Sequence, residues 1–270
     1  MKRAISVISI TLFFASCSVN HIAVKKTAEI IDNGTPEIFS DSNLKYIKAS
    51  LPANLKLMEI LYQTDKDPKL VKNMAMGFCG YAFAFLDDDK DNRNDFYIRG
   101  IRYSDDYINS KKLMEKKDVK GTDFDILFWN TFCKSSYLDM NRDDLAALNY
   151  LGEVETQSEK LFEINPNYFY KSLYTILGSI YASKPKMIGG DIDKAKKYFD
   201  EAVSGTGSKL LINRYIYARI YPQLADDEAL FDKIVDEILN YKNDDESIAF
   251  FNEVAKEKTA KLKEMKNEIF

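Results

Sequence analysis

Residues 174–202, YTILGSIYASKPKMIGGDIDKAKKYFDEA, carry the strongest architectural pattern in this chain. The first half sets two tyrosines, a leucine and a glycine on one helical face, at Tyr174, Leu177, Gly178 and Tyr181. The second half sets two alanines and a phenylalanine at helical spacing, at Ala195, Phe199 and Ala202. Glycine and alanine let two helix backbones come close together, and the aromatic rings fill the groove beside them. The stretch therefore predicts two helices packed against each other across a turn.

The spacing of these residues resembles the tetratricopeptide repeat, in which such a helix pair recurs along the chain. The turn is longer than in a regular repeat, and its Gly189 and Gly190 predict a left-handed stop before Asp191 caps the next helix. The predicted fold class is all-α, a tetratricopeptide-like helical repeat array wound as an α-α superhelix. An unrelated helical bundle is the alternative.

Apolar residues at helical spacing continue along the rest of the chain, without the alternation typical of strands. Asp67 before Pro68, and Asn165 before Pro166, each give a helix cap followed by proline at the first helical position. Helices are therefore expected at 51–62, 67–86, 94–107, 124–138, 142–163, 165–183, 191–204, 210–221, 227–241 and 245–269.

The amino terminus has the organisation of a bacterial export signal. Lys2 and Arg3 precede an apolar run, which ends in small residues before Cys17. This pattern predicts a signal peptide at 1–16 rather than a membrane span, because the run is too short to cross a bilayer. Residues 14–17, Phe-Ala-Ser-Cys, resemble a lipobox, which makes Cys17 the lipidation site; a plain signal peptide is the alternative.

A lipid-anchored tether is expected at 17–47 and a tetratricopeptide-like helical domain at 48–270. The tether assignment depends on the absence of a clear helical period and on the loop-like sequence Asn-Gly-Thr-Pro at 33–36. Because Ser18 is not the aspartate associated with inner-membrane retention, we expect a periplasm-facing anchor in the outer membrane.

Composition argues against several classes of function. The 270 residues are 46% hydrophobic, which supports a substantial core, and the net charge of −4 lacks the basic footprint of a nucleic-acid-binding protein. His21 is the only histidine of the chain, which excludes a histidine general base in the helical domain and removes the commonest zinc ligand. We therefore expect no enzyme activity, no metal and no cofactor; catalysis by paired carboxylates has no supporting spacing.

Two further sequence features have ordinary structural interpretations. Cys79 and Cys133 are either buried thiols or a disulfide, and the sequence leaves both open. The acidic segment 87–95 resembles a calcium loop, but Asn92 replaces the required glycine and Ile98 the required glutamate. A solvated loop with helix caps is the preferred interpretation.

Arginines close to tyrosines provide candidate binding positions, because this pairing suits recognition of a carboxylate on a partner or on an acidic ligand. The alternative is that the arginines tie helix ends to neighbouring carboxylates of the chain itself. The candidate set for partner or ligand binding is Tyr97, Arg99, Tyr103, Trp129, Arg214, Tyr217 and Arg219.

Several stretches together resemble the TRAP-transporter T-component (TatT) family, in the family's order: 51–59 running on to 77–85, then 97–103, 185–191, 211–221 and 230–231. The resemblance implies a periplasmic lipoprotein that docks the solute-binding (P) component of a tripartite, ion-coupled uptake system. It also implies homo-oligomers, with a trimer as the candidate state, and help in handing over a ligand of apolar character. The alternative function is a general outer-membrane assembly or envelope scaffold lipoprotein of similar repeat type.

Overall fold

The computed structural model describes residues 19–270, and all regular structure in this part of the chain is helical. The predicted all-α class is confirmed. The predicted signal peptide at 1–16 and the lipidation site Cys17 lie outside the described residues. The α-helices span Lys2–Ser40 (α1, described from residue 19), Leu44–Tyr62 (α2), Pro68–Phe85 (α3), Lys90–Lys111 (α4), Thr122–Met140 (α5), Leu145–Leu148 (α6), Leu151–Ile164 (α7), Tyr168–Ser183 (α8), Ile192–Ala202 (α9), Leu211–Ala225 (α10), Glu228–Leu239 (α11), Ala249–Glu264 (α12) and Lys266–Ile269 (α13).

The helix pair predicted from 174–202 is present as α8 and α9. Gly178 lies so close to the ring of Phe199 that a β-carbon at that position would be 3.2 Å from it. Ala195 and Phe199 are fully buried. Gly189 is left-handed with φ of 94°, and the Asp191 side chain accepts a hydrogen bond from the Lys194 backbone N–H at 2.9 Å. The local packing prediction is confirmed, whereas a repeating tetratricopeptide array stays a prediction.

Two predicted helix boundaries are wrong. The cap at Asn165 does not begin a regular helix, because Phe169, Tyr170 and Lys171 have positive φ values of 42°, 55° and 62°. Residues other than glycine rarely adopt this left-handed conformation. Tertiary packing stabilises it here, since the Phe169 ring lies 5.2 Å from the ring of Trp129. The helix expected at 142–163 is also interrupted, between α6 and α7.

The expectation of a loosely ordered tether is wrong for residues 19–40, which belong to α1 and pack on the domain. Val24 and Ala28 are buried, and Ile31 and Ile38 pack against the core. These positions follow helical spacing, and they form an apolar stripe once α3 and α12 cover them. The sequence interpretation gave too much weight to the loop-like residues at 33–36.

Pro36 lies inside α1, where proline usually destabilises a helix by about 3 kcal/mol. Buried polar contacts oppose this effect. The Thr35 hydroxyl donates to Asn73 Oδ1 at 2.9 Å, and the Asn73 amide donates to Asp32 at 2.9 Å. An ion pair between Lys72 and Asp32 closes the group. The segment therefore continues as a helix through a sequence that resembles a loop.

Cys79 on α3 and Cys133 on α5 form a disulfide, with their Cα atoms 5.3 Å apart. The bond joins positions 54 residues apart in sequence. Both cysteines are fully buried, in a small cluster with Tyr97 and Ile101 of α4. Of the two alternatives left open by the sequence, the structure therefore contains the disulfide.

An apolar cavity as the candidate functional site

Helices α1, α2, α3, α5, α8, α10 and α12 surround a cavity of about 110 Å³. Its wall is mostly aromatic and aliphatic, and it includes the side chains of Phe39, Trp129, Phe169, Ile216 and Phe251. An apolar cavity of about 150 Å³ engineered into another protein stays dry and binds benzene or xenon. A cavity of this size and character suits one aromatic ring or a short hydrocarbon segment.

Phe169 stands at the centre of an aromatic group in the wall. Its ring lies 5.2 Å from Trp129, 5.3 Å from Phe251 and 6.2 Å from Phe39, all close to perpendicular. Edge-to-face pairs of this kind each contribute about 0.5–1.5 kcal/mol beyond the burial of area. The residue that supplies the central ring of this aromatic group is therefore also one with a left-handed backbone.

Four polar side chains in the wall form two hydrogen-bonded pairs. Thr35 donates to Asn73 at 2.9 Å, and the Thr175 hydroxyl donates to Asn213 Oδ1 at 2.8 Å. Their hydrogen-bonding groups are therefore engaged within the protein, which leaves a chiefly apolar surface facing the cavity.

The glycines of α3 differ in their surroundings. A β-carbon at Gly77 would lie 2.7 Å from the Leu55 side chain, so this glycine permits close packing of α3 on α2. A β-carbon at Gly80, which also lines the cavity, would have no atom within 4 Å. The space beside Gly80 is thus part of the cavity.

Of the seven candidate binding residues, Trp129 lines this cavity. Arg99 and Tyr103 lie together elsewhere, around Glu59 of α2. Arg99 donates to Glu59 at 2.9 Å and to Asp95 at 2.7 Å, and the Tyr103 hydroxyl donates to Glu59 at 3.0 Å. Burial opposes ionisation of Glu59, but the hydrogen bonds outweigh it and lower the pKa of this carboxyl.

Arg214 and Tyr217 also contact groups of the chain itself. Arg214 donates to the Ser208 carbonyl and lies 3.4 Å from Glu237. The Tyr217 hydroxyl donates to Asp200 at 2.9 Å. Burial and the bond to Asp200 both raise the pKa of Tyr217.

Tyr97 and Arg219, although distant in sequence, line a second and more polar cavity. Arg219 is ion-paired with Asp139. The structure thus divides the seven candidates among several places, and the three arginines all contact carboxylates of the chain, as in the alternative interpretation.

Apart from Trp129, the aromatic residues of the cavity wall were not selected from the sequence. Phe39 lies in the segment interpreted as a tether, and Phe169 follows a predicted helix start. The available signal was the richness in aromatics, 17 Phe and 17 Tyr, which also fits an ordinary core. Residues 24–38 contain an apolar stripe at helical spacing. Assigning this stripe to a helix would have predicted that the neighbouring Phe39 packs against the domain.

The acidic segment 87–95 supplies a helix cap and a carboxylate that pairs with a lysine. Asp89 caps α4 by accepting from the Asn92 backbone N–H at 3.2 Å, and Asp87 accepts from the buried Lys258 at 2.6 Å. Within residues 19–270, no three or more side chains of the metal-binding types come together in a possible metal site.

Over the same residues, no helix has both the length and the hydropathy needed to cross a membrane.

The fold and the cavity define a helical protein built around an apolar cavity. The chain belongs to the TRAP transporter T-component family, whose model matches residues 40–270. No curated protein matches the chain significantly. Membership supports a TRAP-associated role and suggests a cell-envelope location. A family of transporter components also suggests a non-enzymatic role.

Proposed function

We propose that this protein is a periplasmic adaptor that docks the solute-binding component of a TRAP transporter and takes up an apolar part of a ligand. Its membership of the T-component family is the observation that carries the proposal. The apolar cavity supports the proposed uptake of an apolar part of a ligand, since its wall offers aromatic contacts and few free hydrogen-bonding groups.

The proposed docking surface comprises exposed apolar residues of α6 and of the turn between α8 and α9. Met187 is 97% exposed and Leu145 is 79% exposed, with Ile188 also exposed. Lys184 of the turn pairs with Glu155 of α7 at 2.8 Å, which holds the turn near the start of α7 and hence near α6. A contiguous patch of exposed large apolar side chains is typical of a protein interaction site.

Anchoring and self-association belong to the same proposal. Lipidation at Cys17 would anchor the protein in the outer membrane, because multiple acyl chains give stable attachment. The helical domain would then face the periplasm. Mass spectrometry of the cell-derived protein tests the acyl modification. The proposed trimer is tested by sedimentation of the purified protein.

Docking is tested by titrating the purified full chain with the solute-binding protein of the TRAP transporter from the same cell. Stable and selective binding is expected. Binding to outer-membrane assembly proteins, with none to the solute-binding protein, would replace the adaptor by the scaffold function.

Cavity occupancy is tested with benzene as the probe, by following its contacts with the protein in NMR spectra. Gly80→Leu places a side chain in the open space of the cavity and is expected to abolish benzene binding. Gly152→Leu is the matched control, because Gly152 also lies in a helix with no atom within 4 Å of a β-carbon, but is exposed on α7. Equal benzene binding by both variants would contradict the cavity assignment.

A further inference from the structure

The described part of α1 starts beside the connection between α2 and α3. His21 Nδ1 lies 3.0 Å from the Asp65 carboxylate, and Lys25 Nζ lies 3.9 Å from it. Asp65 follows the end of α2 and precedes the start of α3. The chain therefore joins the domain at this connection, a few residues after Cys17, the lipidation site proposed above.

Four large apolar side chains are exposed on the turns that flank this connection. Val19 is 61% exposed and Ile22 is 58% exposed in the first described turns of α1. Leu57 is 48% exposed and Ile60 is 59% exposed in the last turns of α2. Single exposed apolar residues are ordinary, whereas several at one end of two neighbouring helices indicate an interaction surface. We name these four residues the anchor-end patch.

Charge does not distinguish the surroundings of the anchor-end patch. The charged residues next to it fall into pairs of opposite sign: Lys25 with Asp65, Lys26 with Glu29, Lys56 with Glu59, and Lys66 beside Asp67. Opposite charges this close together largely cancel for a partner farther away than the Debye length. Apolar contact, rather than attraction to an acidic or basic partner, must therefore supply the binding.

A lipid bilayer is the apolar phase closest to the anchor-end patch when the protein is anchored. One residue separates Cys17 from Val19, and even a fully extended chain covers only about 7 Å between their Cα atoms. Acyl chains on Cys17 would therefore hold the patch at the membrane surface. Apolar side chains held there enter the boundary between headgroups and acyl chains.

We infer that the anchor-end patch rests on the lipid bilayer, an inference whose occupant is argued from the lipid anchor proposed above. Val19 and Ile22 enter the membrane interface next to the acyl chains, and Leu57 and Ile60 enter it from α2. Acyl chains alone would restrict only the distance of the domain from the membrane. Contact through two helices also fixes which end of the domain faces the membrane.

The helices that lead to the proposed docking surface begin at this same end. The rings of Tyr62, at the end of α2, and Tyr103 of α4 lie 4.9 Å apart. One turn further along α4, the Tyr107 hydroxyl donates to Asp123 in the first turn of α5 at 2.8 Å. Helices α3 and α5 therefore both start near the anchor-end patch.

The proposed docking surface lies at the opposite end of α5 and α8. The Tyr168 hydroxyl, at the start of α8, donates to Asp125 at the start of α5 at 2.7 Å, so these two helices also start together. At their other ends, α5 leads to α6 with Leu145, and α8 leads to the turn with Met187. A helix of 19 residues, the length of α5, is about 28 Å long. Contact of the anchor-end patch with the bilayer thus directs the docking surface away from the membrane.

Fluorescence quenching in phosphatidylcholine vesicles tests the inference. The protein purified from cells carries a nitrobenzoxadiazole probe at Ile60→Cys or, as the matched control, at the exposed position of Met187→Cys. The vesicles contain lipid that is spin-labelled near the start of one acyl chain. The probe at position 60 is expected to be quenched at least roughly twofold more than the probe at position 187, because only the first lies at the acyl-chain boundary.

A second variant tests whether α1 contributes to the contact. Ile22→Asp should reduce quenching at position 60 at least roughly twofold, because burying an unpaired charge among acyl chains is costly. Ile30→Asp, which lies two turns further along α1 and outside the patch, is the control and should leave quenching unchanged. Both residues are more than half exposed, so neither variant should lower the unfolding temperature.

Equal quenching at positions 60 and 187, or quenching at position 60 that Ile22→Asp leaves unchanged, would overturn the inference. A blue-shifted probe at position 60 without quenching by the spin-labelled lipid would also overturn it, and would assign the patch to a contact between copies of the chain. Mass spectrometry of the same samples tests the lipid anchor separately. Acylated protein with an unquenched probe would remove the patch contact alone, whereas unacylated protein with a quenched probe would remove the anchor alone.

Discussion

Gly100 of α4 lies against the sulfur of Cys79, so closely that a β-carbon at position 100 would be 2.3 Å from that atom. The same β-carbon would lie 3.2 Å from the Cys133 sulfur and 3.3 Å from the Ala75 carbonyl oxygen. The disulfide and the surrounding backbone are buried, so none of these neighbours is the free end of a flexible side chain. The absence of a side chain at Gly100 is therefore a condition for packing α4 on the linked helices α3 and α5.

Gly100→Ala should destabilise the protein by about 1–3 kcal/mol, the usual effect of overfilling a packed core. This outcome is opposite to intrinsic helix propensity, which favours alanine over glycine by about 1 kcal/mol. Thermal and urea unfolding measure the effect. Gly152→Ala is the control and should stabilise the protein, because its β-carbon meets open space; a stabilised Gly100→Ala would contradict the packing described.

Removing the disulfide in the double variant Cys79→Ala, Cys133→Ala should lower the free energy of unfolding by about 4 kcal/mol. The estimate follows from the chain entropy of a crosslink, applied to the sequence separation of 54 residues. Urea unfolding of the variant and of the unaltered protein, each with and without reductant, measures it. Reductant should destabilise only the unaltered protein, and equal sensitivity of both proteins would exclude the disulfide as the cause.

Glu59→Gln should destabilise the protein by about 1–3 kcal/mol at neutral pH, because Arg99 and Tyr103 lose a charged acceptor. The pKa of Glu59 is lowered on folding, so its stabilising contribution is present above the unfolded value of 4.5 and is lost as pH falls through the folded value.

Urea unfolding between pH 3 and pH 7 measures this dependence. The stability of Glu59→Gln should fall less between neutral and acid pH than that of the unaltered protein. Glu163→Gln, at an exposed position of α7, should retain the original pH dependence. An unchanged acid response in Glu59→Gln would show that other carboxylates determine it.

Met187→Asp should weaken binding of the solute-binding protein at least roughly tenfold if the exposed residues of α6 and the α8–α9 turn form the docking surface, because a charge would be buried against an apolar partner. Affinity is measured by calorimetry. Ile30→Asp changes a residue that is 71% exposed on α1 and should bind normally. A greater loss in Ile30→Asp than in Met187→Asp would move the docking surface to α1.

Features set by a few neighbouring residues were predictable from the sequence. The Asp67 side chain accepts from the Lys69 backbone N–H at 2.8 Å with Pro68 at the first helical position, and Asp191 caps α9 in the same way. Such caps join groups two or three residues apart, and the contact between Gly178 and Phe199 follows from two adjacent helices. The amphipathic pattern accordingly predicted the all-α class and most helices.

Features formed across long separations required the tertiary structure. The sequence left the pairing of Cys79 and Cys133 open, because only the packing of α3 on α5 brings the sulfurs together. It assigned 17–47 to a tether, because the apolar stripe of α1 can be recognised as a packing surface only when α3 and α12 cover it.

The two cavities arose in the same way. The apolar cavity brings together aromatic side chains from four separate helices, with Phe39, Trp129 and Phe251 around Phe169. Their packing stabilises the left-handed backbone at Phe169, which local conformational preferences oppose. The sequence by itself determined where most of the helices lie and how several of them begin, because those choices depend on hydrogen bonds within one turn. The packing of distant helices alone decided which side chains line each cavity.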